Sequence, residues 1–159
     1  MRIVLAGPDG VGKSTFGKKL AKKLNLNFIE GNTHKTKNKF EVAKEQMEMD
    51  DVIFDRFFFP DHIVYSQVKN HSLSAKELNK WIQFIDIFLE KNVVILYIDA
   101  LDSDLKARLE DRGDEYIEWH EIEAIRNSYR EILEYMELNG IPVIDIRSLN
   151  DFNYVLMLE

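Results

Sequence analysis

Short apolar runs alternate along the chain with longer segments of helical spacing. Ile3-Val4-Leu5-Ala6 is uninterrupted and ends at Gly7, which predicts a buried strand. Behind it Phe16, Leu20 and Leu24 fall on one helical stripe, with Lys18, Lys19, Lys22 and Lys23 off it. Asn27-Phe28-Ile29 reads as a second strand, and Val52-Ile53-Phe54 as a third that ends at Asp55-Arg56. Val93 to Ile98 is the strongest strand, apolar throughout like one covered on both faces. Val143-Ile144-Asp145-Ile146 is the fifth, reached through Gly140 and Pro142.

The intervening segments predict helices. Residues 33–50 begin polar and lysine-rich, then turn amphipathic around Phe40, Ala43 and Met47; Phe57-Phe58-Phe59 leads into a helix through Ile63, Val64 and Val68. Residues 74–90 predict one helix with Leu78, Trp81, Ile82, Ile85 and Leu89 on one side. A charged helix over 104–112 breaks at Gly113, and the helix over 119–138 holds Ile122, Ile125, Tyr129, Ile132 and Met136 in phase. A short helix closes the chain. Strands separated by helices need crossovers, so their pairing is parallel. The expectation is an α/β fold, a five-stranded parallel sheet flanked by helices, as one domain over residues 1–159.

Composition narrows the partners. With 159 residues, 45% hydrophobic and 31% charged, the chain can bury a core of its own. It has no cysteine, which removes disulfides, thiol catalysis and cysteine metal sites and fits a reducing, cytoplasmic setting. A net charge of −7 disfavours nucleic acid or an anionic membrane as main partner, because both need a basic face. It leaves room for a small anion in one local basic pocket, and for a homodimer. No apolar run approaches the roughly 18 residues of a membrane span, and Ile3 to Ala6 is too short for a signal peptide.

Gly7-Pro8-Asp9-Gly10-Val11-Gly12-Lys13-Ser14 matches G-x-x-x-x-G-K-[ST] at every fixed position, between a predicted strand and a predicted helix. Glycines let main-chain N–H groups converge on phosphate oxygens, and the helix beginning near Lys13 adds its positive end. In such a loop Lys13 reaches the β- and γ-phosphates of ATP and the Ser14 hydroxyl ligates Mg²⁺, with Thr15 in the first helical turn. Gly7, Asp9, Gly10, Val11, Gly12, Lys13, Ser14 and Thr15 are therefore the candidate ATP cradle. Asp55 ends a buried strand at the sheet's carboxyl edge, where open α/β sheets bind ligands, and is a second candidate for Mg²⁺ beside Ser14. Arg56 next to it would meet the acceptor's phosphate or the transferred phosphoryl group. Arg108 and Arg112, four apart, project from neighbouring turns of one helix face and would find their counter-charge on closing over ATP.

The loop Gly7-x-Asp9-Gly10-x-Gly12-Lys13-Ser14-Thr15 resembles that of thymidylate kinases, and Asp55-Arg56-Phe57 is similar to their Asp-Arg-aromatic motif. Leu96-Tyr97-Ile98-Asp99 with Leu105 and Arg108 looks like their fourth strand and lid approach, and Arg112 to Glu118 like the lid. The lid is also similar to that of deoxynucleoside kinases. The resemblance implies a P-loop NTPase fold in three layers, a helical lid at about 108–118, an acceptor region at about 30–70, and ATP with Mg²⁺ as cofactors. It implies phosphoryl transfer to a (deoxy)nucleoside monophosphate, with Asp9 facing the acceptor sugar and Asp9, Glu30, Arg56 and Phe57 contacting substrate. Phe57 is the preferred residue for stacking on a base, and Trp81 is expected in the core.

Other readings remain beside this one. In deoxynucleoside kinases a glutamate after the second strand takes the 5′-hydroxyl proton, and Glu30 matches that place. No arginine occurs between Arg2 and Arg56 to clamp a monophosphate, and Lys35, Lys37 and Lys39 are only point charges. A regulatory module that binds nucleotide without transfer is a third reading. A GTPase lacks its base-reading segment here: Asn38-Lys39-Phe40-Glu41 misses the aspartate. His120-Glu121 begins a zinc-helix motif, but Ala124 stands where the second histidine belongs. Asp99 is expected to cap the following helix, and Arg126 and Arg130 to be surface charges.

Overall fold

The computed structural model describes residues 1–8, 11–31, 37–69, 73–99 and 119–146. Five strands form one sheet: β1 (Arg2–Ala6), β2 (Asn27–Glu30), β3 (Val52–Asp55), β4 (Val93–Ile98) and β5 (Val143–Ile146). Their order is β2-β3-β1-β4-β5 and every pair is parallel, as predicted. The described helices are α1 (Lys13–Leu24), α2 (Lys39–Gln46), α3 (Phe58–Val68), α4 (Ala75–Ile82), α5 (Phe84–Glu90) and α6 (Trp119–Leu138). After β1 the chain lays down β2 and β3 on one side, then crosses to β4 and β5 on the other. That reversal opens a crevice at the carboxyl end of β1, the place where ligands of such sheets sit.

The central strands are buried because helices cover them. Val4, Leu5, Ala6, Ile53, Ile95 and Leu96 have almost no exposed surface and join Phe16 and Leu20 of α1 and Ile125 and Met136 of α6 in one core. α1 stops at Asn25, whose left-handed backbone (φ 56°) turns its N–H onto the Ala21 carbonyl, with Lys22 and Lys23 complementing the helix's negative end.

Two helical expectations need correction. The single helix over 74–90 is two, because the Gln83 N–H turns to the Trp81 carbonyl and interrupts the ladder between α4 and α5. The buried stripe is also shifted: Trp81, Phe84, Ile85 and Phe88 face the core, whereas Leu78 and Leu89 are 37% and 39% exposed. The aromatic rings decide this, since Phe84 and Phe88 pack against Phe57 and Phe59. Within α3, Phe59 is extended (φ −116°, ψ 126°), as the residue before a proline must largely be, and its bond to Pro60 is cis. The predicted helix over 104–112, the lid at 108–118 and the closing helix lie outside the described residues.

Candidate active site

The crevice begins at Gly7. Its φ of 141° and its closeness to β4, where a Cβ would stand 2.1 Å from the Ile98 oxygen, leave no room for another residue. Gly12, also at positive φ (89°), starts α1, and its carbonyl accepts from the Phe16 N–H at 3.0 Å. The first turn of α1 carries no acidic side chain, so its positive end is not neutralised from within. Lys13 is only 6% exposed. Its Nζ donates to the Gly7 and Pro8 carbonyls at 2.8 and 2.6 Å, which folds the ammonium into the loop. Val11 is buried, and Thr15 faces solvent. Asp9 and Gly10 lie outside the described residues.

β3 brings the second component. Parallel pairing sets Asp55 beside Leu5 of β1 on one side and Glu30 of β2 on the other. The Ser14 hydroxyl donates to Asp55 Oδ2 at 2.5 Å, joining the loop to the sheet across 41 residues of sequence. Asp55 is 5% exposed, and its Oδ1 is buried with no hydrogen-bond partner among the described residues. A buried lone pair without a partner is costly. A hydroxyl and a carboxylate at a phosphate loop are the hard oxygen donors that magnesium takes alongside phosphate and water. Ser14 and Asp55 therefore fit a Mg²⁺ site of that kind. No group of three or more acidic or histidine ligands occurs among the described residues, so the side chains form no dedicated cage.

Arg56 follows with a left-handed backbone (φ 66°). Its Nη1 donates to the Tyr65 hydroxyl at 3.3 Å, and its guanidinium lies 5.7 Å from that ring's centre. Burial alone would lower its pKa, but its interactions with Tyr65 and Asp61 outweigh that and raise it. Asp61 on α3 is 2% exposed, and its Oδ1 accepts from the Tyr129 hydroxyl of α6 at 2.8 Å. Burial pushes the Asp61 carboxyl up to about 6, against the downward pull of Arg56, the Tyr129 hydrogen bond and Lys13, with Asp55 adding to the rise. Burial also raises Tyr65 and Tyr129.

The structure thus brings Gly7, Gly12, Lys13, Ser14 and Asp55 together, with Arg56 next in the chain and exposed Glu30 on the neighbouring strand. Arg108 and Arg112 lie outside the described residues. Phe57 is a correction: it is 0% exposed, wedged among Phe54, Phe58, Phe84 and Phe88, and reaches no cleft. Trp81 is in the core, as predicted. Arg126 is a second correction, whereas the helix that Asp99 is expected to cap lies outside the described residues. Arg126 Nε and Nη2 both donate to Asp99 Oδ1, at 3.0 and 2.8 Å, so this arginine is a largely buried ion-pair partner and not a surface charge. Arg130 is exposed, as expected.

Asp61 and Tyr129 were not picked out by motif. The available signal was an acid, with His62 after it, inside a mostly apolar run from Phe57 to Val64, which a helix against the sheet must bury. A cleft of about 500 Å³ opens elsewhere, between the start of α2 and α4, lined by Asn38, Lys39, Phe40, Glu41, Glu77, Lys80 and Trp81. Its size suits a small ligand, but it holds none of the loop residues, and chemistry rather than volume places the site at the crevice.

Comparisons with known proteins agree with this fold. The family model described as "ATPase family associated with various cellular activities (AAA)" matches residues 3–137. The SPbeta prophage-derived uncharacterized protein YorR of Bacillus subtilis is 34% identical over 136 residues, covering 82% of this chain and 81% of YorR. The crystal structure of YorR in complex with phosphorylated GDP superposes with a TM-score of 0.71, over 92% of this chain and 85% of that one. Adenylate kinase of Rickettsia africae is 30% identical over 121 residues; the match covers 69% of this chain but only 57% of that enzyme. Thymidylate kinase of Candida albicans shares the fold, with a TM-score of 0.64 at 17% identity over 97% of this chain and 87% of that one. With a phosphate loop on a five-stranded parallel sheet and a kinase-like P-loop fold, the chain belongs to the ATPase family associated with various cellular activities.

Proposed function

We propose that the protein transfers the γ-phosphoryl group of ATP to a (deoxy)nucleoside monophosphate, in the manner of thymidylate kinases. The observation that carries this reading is the junction of Ser14 with Asp55, whose second oxygen is buried beside the phosphate loop with no partner among the described residues. Main-chain N–H groups of Gly7 to Ser14 would bind the β- and γ-phosphates. Lys13 would exchange its loop carbonyls for phosphate oxygens as they arrive. Magnesium held through Ser14 and Asp55 would supply charge neutralisation across the phosphates.

Arg56 would orient the acceptor's phosphate, with Asp9 toward its sugar, while Arg108 and Arg112 would close over the ATP. An acceptor phosphate oxygen forms the new P–O bond as the bond from the γ-phosphorus to the β-bridging oxygen breaks, and ADP leaves. An ionised phosphate needs no base. That the adenylate kinases are relatives, and that YorR was captured with phosphorylated GDP, supports a nucleotide substrate.

A second reading is favoured by one placement: Glu30 stands in register with Asp55 at the same sheet edge and is exposed. If the acceptor is a nucleoside, its 5′-hydroxyl must lose a proton, and Glu30 would take it. An ADP-release assay across the four deoxynucleosides and their monophosphates separates the two. Turnover with a monophosphate, abolished by EDTA, is expected. Turnover with nucleosides only would install the second reading, and ATP binding without any turnover would leave a regulatory module.

A further inference from the structure

Three side chains that the proposed transfer leaves unused stand behind Arg56. The Tyr65 hydroxyl accepts from Arg56 Nη1, the Tyr129 hydroxyl donates to Asp61 Oδ1, and the two tyrosine rings meet edge-on at 6.3 Å. A guanidinium only donates and an ionised carboxylate only accepts. Tyr65 therefore accepts from the cation and Tyr129 donates to the anion. These two hydrogen bonds and the ring contact between them form a relay from a cation to its anion through two tyrosines.

We infer that Tyr65, Tyr129 and Asp61 are positioning residues, which hold the Arg56 guanidinium in the orientation from which it meets an acceptor phosphate. This rests on the transfer reading above. The groups facing Asp61 come from every side: Arg56 from the β3–α3 junction, Tyr65 from its own helix, Tyr129 from α6, Lys13 from α1 and Asp55 from β3. A carboxylate among them, with Oδ2 buried and without a partner among the described residues, is a poor way to stabilise a fold, since buried ion pairs seldom repay their desolvation. The backbone of Arg56 is fixed as well. It sits at φ 66°, and its carbonyl approaches Gly31 so closely that a Cβ there would lie 2.3 Å from the Arg56 oxygen. Main chain and side chain are thus both set in advance, as a phosphate-orienting arginine requires.

The test uses the full chain and two readouts. Solvent exchange of the Arg56 side-chain N–H protons, followed by ¹⁵N NMR, is expected to be slow in the parent protein and at least about tenfold faster in Asp61→Asn and Tyr129→Phe, with the melting temperature not lowered. With whichever deoxynucleoside monophosphate turns over, both variants are expected to raise the acceptor KM about tenfold while the KM for ATP stays put. Unchanged Arg56 exchange in both variants, or a parallel rise of both KM values, would overturn the inference. Should Asp61→Asn fail to fold, Tyr65→Phe and Tyr129→Phe, each removing one oxygen, carry the same test. Absence of turnover on every monophosphate would sink the transfer reading, while the exchange measurement would still judge the relay.

Discussion

The phosphate loop and the Arg56 cluster occupy the same edge of one sheet but are assembled in different ways. The loop is eight consecutive residues, and what it offers a ligand is mostly main chain, with Lys13 folded onto the loop's own carbonyls. The Arg56 cluster is built from side chains of the β3–α3 junction, α3 and α6, and Asp61 and Tyr129 are 68 residues apart. Phe57 stands one residue from Arg56 and is fully buried. Adjacent residues at a strand's end are thus differently placed, and burial alone does not sort a core residue from a site residue. Unpartnered oxygen does: Asp55 and Asp61 each keep one buried oxygen without a partner among the described residues, whereas the rings around Phe57 meet other rings on several sides.

The contrast can be broken by substitution. The largest effect is expected at Lys13: Lys13→Ala should lower kcat/KM for transfer roughly a thousandfold with the melting temperature little changed. Phe57→Ala should do the reverse. It should cost about 3–5 kcal/mol in a urea titration, and the folded remainder should bind ATP as the parent does. A base-stacking role would instead show as a selective rise in the acceptor KM.

Asp61 sharpens the comparison through pH. Its carboxyl titrates near 6 in the folded protein against 3.8 ordinarily, so the folded state holds the proton more tightly. The stabilisation this brings is present at acid pH and is lost as pH rises from about 4 through about 6. Above that window the ionised group costs on the order of 3 kcal/mol. Asp61→Asn should therefore be more stable than the parent at pH 7.5 and lose that pH slope in denaturant titrations. A variant less stable at pH 7.5 would make Asp61 a structural residue. The smallest effect is expected for Arg126→Lys, which keeps the charge but loses the two-donor grip on Asp99, at about 1 kcal/mol and with unchanged acceptor KM.

The loop was legible because its chemistry is local: Gly7, Gly12, Lys13 and Ser14 have fixed spacing set by main-chain geometry. The five strands were legible because each apolar run from Ile3 to Ile146 is short and bounded by turn residues. The relay was not. Tyr129 keeps the apolar phase of α6 whether or not its hydroxyl has a partner, and only the packing of α6 on α3 shows that it reaches Asp61. Phe57 misled for a related reason, since an aromatic after Asp55-Arg56 fits either a pocket or a core. Phe84 and Phe88, about 30 residues on, decide for the core. Arg126 reads as a surface charge because its partner Asp99 lies just after β4, 27 residues away.

The most direct test of the central claim is isothermal titration of the full chain with ATP and Mg²⁺, beside the Lys13→Ala variant. One site per chain is predicted, with affinity at least tenfold weaker in the variant. No heat from the parent protein, or equal affinity in the two, would contradict a nucleotide held by the loop at the end of β1.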